Sequence, residues 1–407
     1  MFSVTITVEC KLWLRPRAYA EKVQMNDKAN AALERLLDDE FQLQPGLIYL
    51  NHAAVAPWPK RTAEAVKRFA DENAREGASR YAAWLQAENA LRASCATLVN
   101  AARPDDIAFL KNTSEALSVV AHGFPWAAGD NVVIADEEFP SNRIPWESLR
   151  SLGVEARVIH VGEQHDPERA LLDAADGRTR LISISSVQFA SGLRADLSRL
   201  GAACRKRGIA FCVDAIQGLG VFPHDVRAME IDFLMADAHK WLLGPEGIAL
   251  FYCRPEWRDR LTLRQYGWHM VRDAGNFDKG SWEVADNARR FECGSPNMLG
   301  IQALSASLSL LAEVGIPEIE RRVLARTERL FELIRTHDDL ELLTSAAPGR
   351  YAGIVTFRHR RRDGVELHAR LRDRRVICAA RGGGLRFSPH FYNRLEQIDT
   401  AVAFAAE

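Results

Sequence analysis

The sequence predicts an α/β fold in which a large domain on a mostly parallel, seven-stranded sheet precedes a small C-terminal α+β domain. Two observations carry this. Between residues 107 and 253, seven short β-rich apolar runs alternate with helical patterns, as expected of a sheet covered on both faces. Beyond residue 296 the alternation stops, and long helical stretches at 299–314 and 316–337 lead to strands near 353–357 and 385–388.

In chain order, Val4-Thr5-Ile6-Thr7-Val8 alternates like a short strand, Met25 would make a natural start, and a helix is expected from Asn26 to Asp39. Residues 1–24 lack an apolar periodicity worth burying, so deleting them is expected to leave folding intact. The expected strands are 107–110, 132–134, 156–159, 181–184, 210–213, 231–234 and 248–251. The helices between them are 114–122, 144–152, 167–175, 197–207 and 226–229. The expected divisions are an extension (1–45), a large domain (46–295) and a small domain (296–407).

Composition narrows the function classes. The 407 residues are 47% hydrophobic and 26% charged, ordinary for a globular protein. A net charge of −1 gives no electrostatic reason to bind nucleic acid or an anionic membrane. Arg360-Arg361-Arg362 and Arg372-Asp373-Arg374-Arg375 have acids nearby and no interleaved aromatics, which reads as solvated surface. Seven scattered cysteines with no C-x-x-C pair suit reduced, buried thiols in a cytoplasmic protein. No run of 18 apolar residues is present.

The chemistry centres on Ala238-His239-Lys240-Trp241. It follows an apolar strand pattern and precedes Gly244-Pro245-Glu246-Gly247. Burying an ammonium is costly, and desolvation lowers its pKa until the neutral amine is available for Schiff-base chemistry. A lysine snorkelling from a strand end fits this segment equally well. Asp214 ends another strand pattern, with Gln217 three residues on; a carboxylate there either pairs with a protonated pyridine nitrogen or caps a helix. Thr113 and Ser114 open a helix after a strand, where hydroxyls and free N–H groups suit a phosphate as well as ordinary capping. Phe139 could stack on an aromatic ligand or belong to the core, and His239 could donate to phosphate.

Taken in order with Tyr49-Leu50-Asn51-His52-Ala53-Ala54, Arg290-Phe291-Glu292-Cys293-Gly294-Ser295-Pro296-Asn297 and Leu385-Arg386-Phe387-Ser388-Pro389-His390, these residues resemble the class V aminotransferase family of fold-type I pyridoxal-phosphate enzymes. That family includes cysteine desulfurases, kynureninases and isopenicillin N epimerase-like proteins. The resemblance implies pyridoxal 5′-phosphate held on Lys240, Asp214 at the pyridine nitrogen, Gln217 near the phenolic oxygen and Phe139 stacked on the ring. Thr113, Ser114 and His239 would bind the phosphate, Gln188 would lie near the cofactor or substrate, and Asn51 and Arg386 would meet the substrate. Ser295 would reach the phosphate of a neighbouring subunit, implying a homodimer with shared active sites.

Two departures matter. Cys378-Ala379-Ala380-Arg381-Gly382-Gly383-Gly384 runs almost directly into Arg386, leaving no room for the mobile cysteine loop of desulfurases. Asp237 replaces a phosphate-binding serine of some relatives, and is expected to turn away. The implied activity is aminotransferase-like chemistry on an amino acid, with cysteine desulfurase, C–S lyase or epimerase-like racemase as alternatives. A non-catalytic regulator would need a DNA-binding module, for which the region before Tyr49 is too short.

Overall fold

The computed structural model describes residues 30–162, 164–278 and 280–407. The expected strand at 4–8 and the start of the N-terminal helix therefore lie outside the described residues; residues 30–40 are helical (α1). The chain divides after Gln42, and Leu43–Glu407 form one compact unit.

That unit begins with a short strand β1 (Ile48–Tyr49) and helices α2 (Lys60–Glu76) and α3 (Tyr81–Leu98). Then come β2 (Ile107–Leu110), α4 (Thr113–Gly123), β3 (Asn131–Ala135), α5 (Ile144–Glu147), β4 (Glu155–Ile159), α6 (Pro167–Asp173), β5 (Thr179–Ser185), α7 (Leu197–Arg207), β6 (Ala210–Asp214), β7 (Phe233–Asp237), β8 (Ala249–Cys253) and α8 (Pro255–Arg258). The seven strands order as β2-β8-β7-β6-β5-β3-β4. Only the β8 pairings, with β2 and β7, are antiparallel. Strands β3, β6, β7 and β8 are buried along their whole length, as a sheet covered on both faces requires.

Helix α7 shows how the sequence builds one covering layer. Leu197, Leu200, Gly201 and Cys204 recur at helical spacing and are its buried residues. The Asp196 carboxylate caps the start by accepting from the Arg199 N–H (3.0 Å), and Arg205, Lys206 and Arg207 complement the dipole at the end. Gly208 then stops the helix at φ 67°, a left-handed turn that costs glycine little.

Two expectations fail locally. Residues 226–229 form turns instead of a helix: the Asp225 carboxylate takes the N–H groups of Arg227 and Ala228, and Glu230 at φ 52° ends the segment after one turn. Strand β7 starts at Phe233, later than the apolar run, and continues to Asp237, because its ladder with β8 runs from Phe233↔Cys253 to Asp237↔Ala249. The run at 231–234 marks burial, whereas hydrogen bonding sets the strand.

The C-terminal part comprises α9 (Met298–Val314), α10 (Ile316–Thr336), β9 (Leu340–Leu342), β10 (Val355–His359), α11 (Gly364–Asp373), β11 (Val376–Ile377), β12 (Ala379–Arg381), β13 (Gly384–Phe387) and α12 (Leu395–Ala406). A four-stranded sheet, β12-β13-β10-β9, packs on α10, α11 and α12 around Phe331, Phe357, Phe387 and Val402. Leu50 belongs to this second core, because β1 pairs in parallel with β11. The segment at 48–50 is thus built into the smaller sheet's layer although it comes first in the chain. Among the described residues, no single helix is long and apolar enough to cross a membrane.

Candidate active site

The carboxyl ends of β5, β6 and β7 open onto a cavity of about 440 Å³, where ligands of open α/β sheets bind. Asp214 is the last residue of β6 and Asp237 the last of β7. Lys240 follows in a tight turn, with Leu243 N–H donating to the Lys240 carbonyl (3.1 Å) and Gly244 N–H to that of Ala238 (2.9 Å). The turn is held from behind by Trp241. Its indole N–H donates to Gln217 Oε1 (2.9 Å), while its carbonyl accepts from His390 Nε2 (3.2 Å). The Phe391 N–H donates to His390 Nδ1, which fixes Nε2 as the protonated nitrogen.

Lys240 is 7% exposed and its Nζ stands 5.4 Å from the centre of the Phe139 ring. Burial pushes its pKa down, only partly opposed by Asp214. Burial pushes the Asp214 carboxyl up, against the pull of the Ile216 N–H that donates to it (3.0 Å). A desolvated carboxylate and an amine that readily gives up its proton therefore face one cavity.

The other lining groups fall into two sets. On the α4 side, Thr113, Ser114 and Ser141 present hydroxyls, the latter two hydrogen-bonded to each other (2.7 Å). On the second sheet, the β12–β13 hairpin supplies Arg381 and Arg386, its tight turn made by Gly382 and Gly383 at φ 62° and 79°. Arg386 is 1% exposed; its Nη1 donates to the Phe189 carbonyl (2.7 Å), while Nε and Nη2 have no partner. Burial, then Arg381, lowers its pKa to about 10. Two unsatisfied N–H groups of one buried guanidinium suit a carboxylate ligand.

Of the residues expected from the sequence, Thr113, Ser114, Phe139, Asp214, Gln217, His239, Lys240 and Arg386 line this cavity together. Three do not. Gln188 is drawn away because the buried Glu138 carboxylate needs donors, and takes Gln188 Nε2 (2.8 Å) with Ser185 and Asn142; Phe189 lines the cavity in its place. Asn51 is occupied by its backbone bridge to Ser388, and its buried Oδ1 has no partner. Ser295 is exposed beside Cys293 in a neighbouring cavity. Asp237 corrects another expectation, since it faces the cavity, with Oδ1 3.0 Å from His239 Nδ1. Its backbone N–H donates to Thr113 Oγ1 (3.1 Å), which draws β7's last residue against α4. Ser141, Phe189 and Arg381 were missed. For Arg381 the signal was available: it stands in the glycine hairpin that carries Arg386.

Among the described residues no cysteine lines this cavity. Cys378 is buried at the β11–β12 junction and its thiol is pushed up to about 12 by burial. Cys293 is partly exposed, with Sγ 3.4 Å from Gln265 Oε1.

The model of the family described as "Aminotransferase class-V" matches residues 48–400. The chain belongs to the class-V aminotransferase family. It is 31% identical over 374 residues to a protein of Methanothermobacter thermautotrophicus named a probable cysteine desulfurase, covering 86% of this chain and 92% of that one. A cysteine desulfurase of Klebsiella pneumoniae subsp. pneumoniae is 32% identical over 342 residues, 79% of this chain and 80% of that one. Among solved structures, a complex between the cystine C–S lyase C-DES and its product cysteine persulfide aligns with TM-score 0.83 at 23% identity, over 89% of this chain and 98% of the other. This class V enzyme therefore has the fold-type I architecture and depends on pyridoxal 5′-phosphate. The cavity fits that group: Asp214 is a desolvated carboxylate that accepts from a single N–H, Lys240 is a buried amine, Phe139 offers a ring face, and α4 presents hydroxyls at its start.

Proposed function

We propose that this protein is a pyridoxal-phosphate-dependent carbon–sulfur lyase acting on a small sulfur-bearing amino acid of the cysteine or cystine type, and that it releases sulfur without forming a protein persulfide. One observation carries the reading: Lys240 and the unsatisfied Arg386 guanidinium share a cavity that no thiol of the described residues enters. The names of the curated relatives support cleavage at sulfur over the aminotransferase chemistry expected from the sequence.

In this reading Lys240 would hold the cofactor through its amine, Asp214 would serve its pyridine nitrogen, and Thr113, Ser114 and His239 would hold its phosphate. Bound there, the cofactor supplies an electron sink for charge developing at the substrate Cα. Arg386 clamps the α-carboxylate through Nε and Nη2 and so fixes which Cα bond faces Lys240. Lys240 Nζ, whose pKa burial lowers, is the base that takes the Cα proton. Gln217 holds its amide with Nε2 donating to the Ala53 carbonyl (3.1 Å) and Oε1 committed to Trp241, which leaves one N–H for the cavity. A persulfide-forming desulfurase would need an exposed, acidic thiol near the substrate sulfur; the β12–β13 hairpin that carries Arg386 offers glycines there. We also infer a cytoplasmic homodimer in which Ser295 serves the neighbouring subunit's site; sedimentation of an active monomer would refute that part.

The test is to incubate purified holoenzyme with L-cysteine, L-cystine and a panel of sulfur-free amino acids while following pyruvate, ammonia and sulfide. Pyruvate with stoichiometric reduced sulfur from the sulfur amino acids alone is expected. Keto-acid formation dependent on an amino acceptor, across the panel, would replace this reading with transamination.

A further inference from the structure

Asp237 places a carboxylate where the site must receive a phosphate. Its Oδ1 and His239 Nδ1 lie 3.0 Å apart, both are buried, and neither atom makes a hydrogen bond, to the other or to any other group of the described residues. The neighbouring donors on this wall (Thr113, Ser114, Ser141 and the first N–H groups of α4) are all neutral. The other charged groups lining the cavity are Asp214, Lys240, Glu246, Arg381 and Arg386. Lys240 is committed to the cofactor linkage, and both guanidiniums come from the β12–β13 hairpin. A phosphate dianion entering beside Asp237 would meet a desolvated like charge with no adjacent cation.

One arrangement removes the conflict. A neutral His239 whose Nδ1–H points at Asp237 would show a lone pair at Nε2, which repels a phosphate oxygen; only the imidazolium donates at both nitrogens. We propose that Asp237 and His239 work as a proton-accepting pair. The pair takes up one proton when the cofactor phosphate binds, so that His239 meets the phosphate as a cation stabilised by Asp237. Asp237 is then a positioning residue that makes His239 the phosphate's charged ligand. The inference depends on the cofactor alone and not on which bond the enzyme breaks.

The test uses full-length protein freed of cofactor, with Lys240→Ala throughout so that no lysine amine in the cavity takes up the proton, and the probe 4′-deoxypyridoxine 5′-phosphate, which has no aldehyde. Calorimetric titration near pH 8 in buffers of differing ionisation enthalpy counts the protons exchanged. The Lys240→Ala parent is expected to take up about one proton per site, with affinity falling about tenfold per pH unit as the solution becomes more alkaline. Asp237→Ser should bind with no net uptake and a flat pH profile. Asp237→Asn, nearly the same shape, serves in its place if the serine variant melts early. His239→Gln should also lose the uptake, which separates protonation of the imidazole from protonation of the phosphate itself. Absence of uptake in the Lys240→Ala parent, undiminished uptake in both Asp237 variants, or undiminished uptake in His239→Gln would each overturn the proposal.

Discussion

Arg92 and Arg386 are both nearly excluded from solvent, at 4% and 1% exposure, yet they live in opposite surroundings. Arg92, on α3, donates to Glu88 (2.5 Å), to Glu292 (2.6 and 3.1 Å) and to the Ile107 carbonyl (2.6 Å). The Phe109 N–H completes the cluster by donating to Glu292 (2.8 Å). Its guanidinium is raised above its ordinary pKa, because the two carboxylates outweigh the burial that alone would lower it. Arg386 has one carbonyl and another arginine for company, and its pKa is lowered. A buried charge that finds its counter-ion within the chain ties elements together; one that does not is held ready for a ligand. The same contrast separates the Glu138 carboxylate, satisfied by four donors, from Asp214, which receives one.

The largest effect should come from Lys240. Lys240→Ala is expected to lose at least about a thousandfold in turnover, a barrier change of about 4 kcal/mol. Borohydride reduction of the yellow wild-type protein should fix the cofactor mass on the peptide containing this residue; label on another lysine would undo the contrast at its root.

The two arginines provide the next test. Arg92→Met takes from the buried Glu88 and Glu292 the guanidinium they share, leaving only the longer approaches of Arg289 (3.7 Å) and His269 (3.6 Å), and should cost about 3–5 kcal/mol in denaturant unfolding. Arg386→Met removes an unpaired charge and should leave stability unchanged or improved, while kcat/KM falls about a hundredfold or more, ~2.7 kcal/mol. Equal stability losses in both variants would show that Arg386 is a structural residue too.

A smaller effect concerns buried imidazoles. Burial lowers His52 and His224 to about 4 each, although both donate Nδ1–H to backbone carbonyls, Ser388 (2.8 Å) and Phe222 (2.9 Å). Between about pH 4 and 6.5 the unfolded chain binds protons there that the native chain does not, so stability rises with pH across this window and is lost as pH falls through it. Melting temperature should drop between pH 7 and pH 5, and a flat profile would contradict the assignment. The least change is expected from Cys378→Ala and Cys293→Ala, each within about tenfold of wild-type sulfur release. Abolished release in a well-folded variant would restore the persulfide mechanism.

Much of the site could be read from the sequence, for a definable reason. Asp214, Lys240 and Thr113 stand at or just beyond strand ends, and in a parallel sheet strand ends converge. What escaped the reading depends on pairings that have no periodic signature. Gln188 was misplaced because the demand of a buried Glu138 cannot be seen in a linear pattern. Asp237 was expected to turn away, and only the structure places it on the cavity wall, 3.0 Å from His239. The fold followed the same rule: apolar runs located the strands to within a few residues, whereas the β1–β11 pairing joins two short segments from opposite ends of the unit.

That pairing has a consequence for how the protein is made. His52 and Ser388, joined through a ring nitrogen, lie 336 positions apart, and the Ala53 N–H also donates to the Ser388 hydroxyl. Ala53 and Ala54 form part of the cavity wall. During synthesis this stretch leaves the ribosome 336 residues before Ser388, and waits for it before it is backed. The central sheet can assemble while the chain is still growing, but this wall of the cavity is backed only after translation has passed Ser388, so capture of the cofactor follows the emergence of that residue.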